Sequence, residues 1–184
     1  MTTSAMILII AAVVVVVIAA FVFVRQQRTK KLRNHFGPEY DHAVREYGSH
    51  SKAEEELLAR QKRLEKLPIH SLPPAERDQF AAQWHEVQSR FVDDPSGSIE
   101  KADQLVNEVM RARGYPMSDF DRRAEDLSVD HPEVIRNYRA AHNIAKRRVT
   151  GEATTEELRQ ALVYYRDLFD DLLEAHVAGR RNTR

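Results

Sequence analysis

The hydrophobic pattern divides the chain at once. From Ala5 to Val24 every residue is Ala, Val, Ile, Leu, Met or Phe, and none of the first 24 residues is charged. At about 1.5 Å per residue such a helix spans roughly 30 Å, the thickness of a hydrocarbon core. The Val-rich centre is a modest helix former in water. In lipid a helix pairs every backbone donor and acceptor within itself, so 5–24 predicts one transmembrane helix. Residues 25–37 read as a juxtamembrane linker, and Pro38 as a first-turn residue for the helix that follows.

Beyond Pro38 the apolar positions thin out. Gly48 interrupts the helical pattern, and Ser51 with Glu54 has the spacing of a capping box. Leu57, Leu58, Leu64 and Leu67 form a narrow stripe. The sparse apolar content predicts that 38–67 projects as a partly exposed helical stalk.

Residues 68–178 are richer in amphipathic signals. Pro68, Pro73 and Pro74 bracket an extended connector, because a residue before proline avoids the α region. A helix over about 74–92 carries Phe80, Trp84, Val87 and Phe91 on one face. Asp94-Pro95 then opens a helix with Ile99, Ala102, Leu105, Val106, Val109 and Met110 inward, stopping at Gly114. Ser118 caps a short helix with Phe120, Ala124 and Leu127. Asp130 and Glu133 have capping-box spacing ahead of Val134, Tyr138, Ala141 and Ala145. Thr154 and Glu157 repeat it ahead of Leu158, Leu162, Tyr165, Phe169 and Leu172, whose alternating spacings of four and three resemble a coiled-coil seam. Residues 179–184 read as a disordered tail. No segment alternates with a period of two. The predicted fold is all-α: a single N-terminal transmembrane helix followed by an α-helical bundle of about four main helices plus short accessory ones.

Charge adds an orientation. The 28 basic and 28 acidic residues cancel overall, but Arg25, Arg28, Lys30, Lys31 and Arg33 crowd into nine residues with no acid before Glu39. This membrane-proximal basic cluster leaves the remainder at about −5. Lys and Arg beside a span stay on the cytoplasmic side, which predicts a single-pass protein of the inner cell membrane with its C-terminal domain in the cytoplasm. The competing reading is a signal peptide cut near Ala19–Ala20, which yields an exported helical protein. Against it, no basic residue precedes the run, and the run exceeds a usual h-region. A mildly acidic domain is poorly suited to neutralising phosphates, so nucleic acid is not an expected partner. The chain has no cysteine, which excludes disulfides, thiolate catalysis and Cys-based zinc sites.

FGPEYD (Phe36–Asp41), RFVDDP (Arg90–Pro95), VMRARGYP (Val109–Pro116), LSVDHPEV (Leu127–Val134) and TTEELRQALVYYRDLF (Thr154–Phe169) resemble strings of a family of uncharacterised bacterial proteins. The resemblance runs along nearly the whole chain. It implies a hydrophobic N-terminal segment and a helical domain, and it implies no activity.

Candidate chemistry is thin. Glu39 and His42 form one Glu-x-x-His, the ligand pair of di-iron bundles, yet that chemistry needs a second copy and two further glutamates, and no second copy exists. Asp93, Asp94, Asp130, His131 and Glu133 could be drawn together as a metal or acid–base cluster, but each acidic residue among them has a local use in helix capping. His85 and His142 read as boundary histidines, and Asp167, Asp170, Asp171 and Glu174 as a solvated face. No serine sits in Gly-x-Ser-x-Gly, and the six glycines form no phosphate loop or dinucleotide fingerprint. The expectation is a non-enzymatic interaction or scaffold module with no catalytic, metal or cofactor-binding set. Its expected partners are the lipid bilayer and an unidentified protein; self-association as a homodimer is the alternative.

Overall fold

In a computed structural model, residues 3–174 are described, with side chains from Ala11 onward. They form eight α-helices and no strand. The expected tail at 179–184 lies outside the described residues.

Helix α1 (Thr3–Phe36) runs through the apolar stretch and the whole basic segment without a break. No Gly or Pro interrupts Arg25–Phe36, and Gln, Arg and Lys are good helix formers, so 25–37 is a helical continuation and not a linker. From Ala11 to Val24 it is exposed, and α1 is long and apolar enough to serve as a membrane span or a signal sequence. The helix ends where Gly37 adopts φ 49° and ψ −125°, a combination that glycine takes readily and other residues do not. The Gly37 N–H caps the Arg33 carbonyl at 2.9 Å, and Pro38 starts α2 (Pro38–Tyr47).

The hairpin of α2 and α3 (His50–Leu64) corrects two expectations. It does not project as a stalk: Tyr40, Ala43, Ala53, Leu57 and Leu64 join the same core as the later helices. The cap of α3 is Ser49, which accepts from the Lys52 N–H at 3.3 Å, not Ser51. Glu54, assigned above to a capping box, is turned inward and almost fully buried.

Residues 65–73 connect to α4 (Pro74–Arg90), which is followed by α5 (Pro95–Ala112), α6 (Phe120–Asp130), α7 (Ile135–Val149) and α8 (Thr155–Glu174). Helix α8 packs on both α5 and α7, and α4 packs on α5. The inward stripe of α5 is buried at every position named above. The Trp84 and Phe169 rings stack with centroids 4.6 Å apart, which joins α4 to α8. A second layer, made of the end of α1 with α2, α3 and α6, lies against α7.

Two of the five side-chain caps expected above form as read. Asp94 accepts from Gly97 N–H at 2.8 Å, and Thr154 with Glu157 forms a reciprocal box. Two caps are corrected. Asp119, not Ser118, accepts from Arg122 N–H. Asp130 and Glu133 form no box, because Asp130 still belongs to α6 and α7 begins only at Ile135.

The connector after α3 is pinned beside the end of α5. The His70 N–H donates to the Arg113 carbonyl at 3.0 Å, and Arg113 Nε returns a bond to the His70 carbonyl. Gly114, at φ 90°, passes so close that an added Cβ would stand 2.8 Å from the Pro68 carbonyl oxygen. Gly114→Ala is therefore expected to cost about 1–3 kcal/mol, from positive φ and the clash with backbone that cannot turn away. A thermal melt in detergent checks it; an unchanged midpoint would contradict the close approach.

Candidate functional site

The basic cluster lies on the stretch of α1 that enters the folded domain. Arg25, Arg28, Lys30, Lys31 and Arg33 occupy about 12 Å of helix axis. Leu32, within the cluster, and Phe36, just beyond it, are buried in the core, so the helix is built into the domain and not merely attached to it. Arg33 pairs with Asp41 at 3.4 Å, and Arg28 Nε stands 3.9 Å from Glu54. No carboxylate among the described residues lies within ion-pair distance of Arg25, Lys30 or Lys31.

Glu54 is the hub of this junction. Its Oε1 accepts from the Thr29 hydroxyl of α1 at 2.6 Å and from the Tyr40 hydroxyl of α2 at 3.1 Å. One carboxylate on α3 thus holds both preceding helices. Tyr40 also lies 3.1 Å from His50 Nδ1. Burial, then the adjoining Glu54, raise the Tyr40 pKa above the ordinary tyrosine value.

A second polar cluster fastens this layer to the rest. Arg139 of α7 grips Glu39 of α2 in a two-pronged pair at 2.6 and 2.9 Å, and Arg60 of α3 donates to Glu39 Oε1 at 3.0 Å. Arg60, fully buried, also reaches the Tyr47 hydroxyl and lies 3.4 Å from Glu125. Arg63 closes the set on Asp126. This settles the fate of the Glu39–His42 pair. The Glu39 carboxylate is committed to two guanidiniums, while His42 is half-exposed beside Glu46 at 3.6 Å.

The third cluster links α6 to α8. His131 is buried, with Nδ1 2.5 Å from Asp171 and Nε2 3.1 Å from the Tyr115 hydroxyl. Tyr115 donates to Asp130 at 2.9 Å, and Arg113 approaches His131 Nε2 and donates to the Leu172 carbonyl. An Asp–His–Tyr chain resembles a proton relay. Here both ring nitrogens are bonded and the histidine side chain is fully buried, while Asp171 is the member that reaches solvent. Of Asp93, Asp94, Asp130, His131 and Glu133, whose acidic members read as helix caps, only some keep that local role. Asp94 caps α5, and His131 recruits Tyr115 and Asp171 instead. Asp171, read above as part of a solvated face, is half-buried and bonded, and Asp167 accepts from Asn137. Of the two boundary histidines, His142 stacks on Phe120 with centroids 3.6 Å apart. Burial lowers its pKa, with Lys146 adding to the shift.

Among the described residues, no group of three His, Asp or Glu side chains converges as a metal site. No protein-family model, no curated protein and no solved structure matches the chain.

Proposed function

We propose that the chain is a membrane-tethered, non-enzymatic interaction module, anchored by residues 5–24 with its helical domain on the cytoplasmic face. The observation that carries this reading is the continuity of α1, which passes from the exposed apolar stretch into the core at Leu32 and Phe36. A flexible linker would let the domain tumble. A helix locked by Thr29, Leu32 and Phe36 fixes which face of the domain looks at the bilayer and how far away it stands. Positioning of that kind suits a protein that presents a surface to a membrane neighbour. The basic cluster supports the orientation. The pairing of polar groups within each buried cluster supports a binding role over a catalytic one. Helices α4, α5, α7 and α8 then form the main body of the bundle, with the remaining helices as the membrane-side layer. The bacterial family that the strings resemble, a hydrophobic segment followed by a helical domain, fits the same plan.

The test is crosslinking of the full chain in native membranes, followed by identification of its neighbours, beside a reporter fused after Arg184. A discrete species containing a second membrane-associated protein, with the reporter inside, is the expected result. Products containing only this chain would replace the partner with self-association. A mature chain that begins near residue 20, or one that alkaline carbonate strips from the membrane, would remove the anchor altogether.

A further inference from the structure

The groove between the juxtamembrane part of α1 and the outer side of α3 has a volume of about 650 Å³, within the range of small-molecule sites. Its walls include Phe23, Gln27, Arg28, Lys31 and His35 from α1 and Leu58 from α3. We propose that this groove binds the headgroup of an anionic phospholipid. The proposal rests on the membrane anchoring argued above and adds a defined ligand site to it.

Three observations converge on that ligand. The first is height. Counting from Val24 at about 1.5 Å per residue, Arg28 stands roughly 6 Å and Lys31 roughly 10 Å beyond the apolar run. A headgroup layer is roughly 5–8 Å thick, so Arg28 lies at phosphate level and Lys31 just above it. The second is unspent charge. Lys31 has no carboxylate within ion-pair distance among the described residues. Arg28 has only Glu54 Oε2, at 3.9 Å, the limit of ion-pair distance, while Thr29 and Tyr40 hold the other oxygen of that carboxylate. Two cations flanked by the Gln27 amide match a phosphodiester, which offers acceptor oxygens and no donor. The third is the gradient along the groove. Phe23 sits at its bilayer end and Leu58 lines the α3 side, so an apolar surface adjoins the cationic one as the glycerol and first methylenes of a lipid require.

A basic helix alone would attract anionic lipid diffusely, through every charge it carries. The groove predicts selectivity among those charges, because Arg28 and Lys31 line it against α3, while the grooves that Arg25 and Lys30 line are walled by α1 alone. That contrast supplies a charge-matched control.

The full chain is placed in nanodiscs of phosphatidylcholine with a minor fraction of phosphatidylglycerol, and the lipid retained on the protein is counted by native mass spectrometry. Salt of about 0.5 M is present to suppress diffuse attraction, its screening length being only a few ångströms. The wild type should retain phosphatidylglycerol in preference to phosphatidylcholine. Lys31→Gln, an exposed residue with no ion pair to lose, should reduce that retention about tenfold, and Arg28→Gln with Lys31→Gln further still. Arg25→Gln with Lys30→Gln should stay within about twofold of the wild type. Equal losses in the two double variants would overturn the site in favour of diffuse electrostatics, and so would a wild type with no headgroup preference. The two readings separate cleanly. A chain that inserts into the discs and shows no preference refutes only the groove, whereas a chain that fails to insert refutes the anchor on which it rests.

Discussion

Replacing Glu39 with alanine is expected to lower stability by up to about 3–5 kcal/mol, the cost of breaking a buried ion pair from one side. For a domain of this size that corresponds to a fall of roughly 6–20 °C in the melting midpoint. The reason lies in who can escape. Arg139, with 21% of its side chain exposed, can swing toward water when its carboxylate is removed. Arg60 cannot, since its side chain has no exposure and its remaining carboxylates stand at 3.4 and 3.5 Å. Domains of this kind have only about 5–15 kcal/mol in total, so the single change removes much of the margin. Replacing both members, Glu39→Leu with Arg60→Met, should recover a large part of the loss, because well-packed apolar groups substitute for buried ion pairs at little net cost. Thermal melts of the wild type and the two variants in detergent decide the matter. If Glu39→Ala melts within a few degrees of the wild type, the cluster does not clamp α2 and α3 to α7.

That clamp also explains which parts of the fold could be read from the amino-acid order. Helices α5 and α8 announce themselves because their buried faces are apolar at every step, from Ile99 to Met110 and from Leu158 to Leu172. Asp94 and Thr154 mark their starts by bonds to residues three positions away, a strictly local chemistry. The α2–α3 hairpin gives the opposite lesson. Its inward face includes Glu39, Glu54 and Arg60, which count as solvent-facing in any hydrophobic pattern. They are buried because their partners lie on other helices. Glu39 and Arg139 are 100 positions apart, and no local spacing encodes such a pair. The same holds for His131 and Asp171, 40 positions apart, each of which looked locally like a cap or a wet surface. The unbroken course of α1 did have a local signal, the lack of any Gly or Pro between Arg25 and Phe36. The like charges there repel one another, and burial of Leu32 and Phe36 outweighs that repulsion.

Alkaline unfolding is the other large effect to expect, and it comes from three tyrosines in the core. Tyr115, Tyr138 and Tyr165 are at most 4% exposed. Burial pushes the Tyr138 hydroxyl up to about 12. It raises Tyr115 and Tyr165 further, where ionisation would also set a phenolate against Asp130 and Asp103 respectively. In the unfolded chain all three lose their protons near pH 10. Between that value and their folded pKa the unfolded state therefore holds fewer protons, and stability falls as pH rises. The contribution is fully present below pH 10 and is lost above it at about 1.4 kcal/mol per pH unit for each tyrosine. Three together exhaust a margin of 5–15 kcal/mol within a few pH units. Helical circular dichroism should collapse above about pH 11, in step with the tyrosinate absorbance of the buried rings. Tyr138→Phe isolates the cause. The Tyr138 hydroxyl makes no hydrogen bond of good geometry, and the nearby Arg123 guanidinium opposes the rise through its charge and a weak contact. Removing the hydroxyl should change stability at pH 7 by less than about 1 kcal/mol, since a poorly aligned buried contact contributes little. The same change should move the alkaline midpoint upward. A midpoint that stays put, or tyrosinate absorbance that appears while the helices remain intact, would show that these rings reach water in the folded protein and that the core between α5, α7 and α8 is looser than its packing implies.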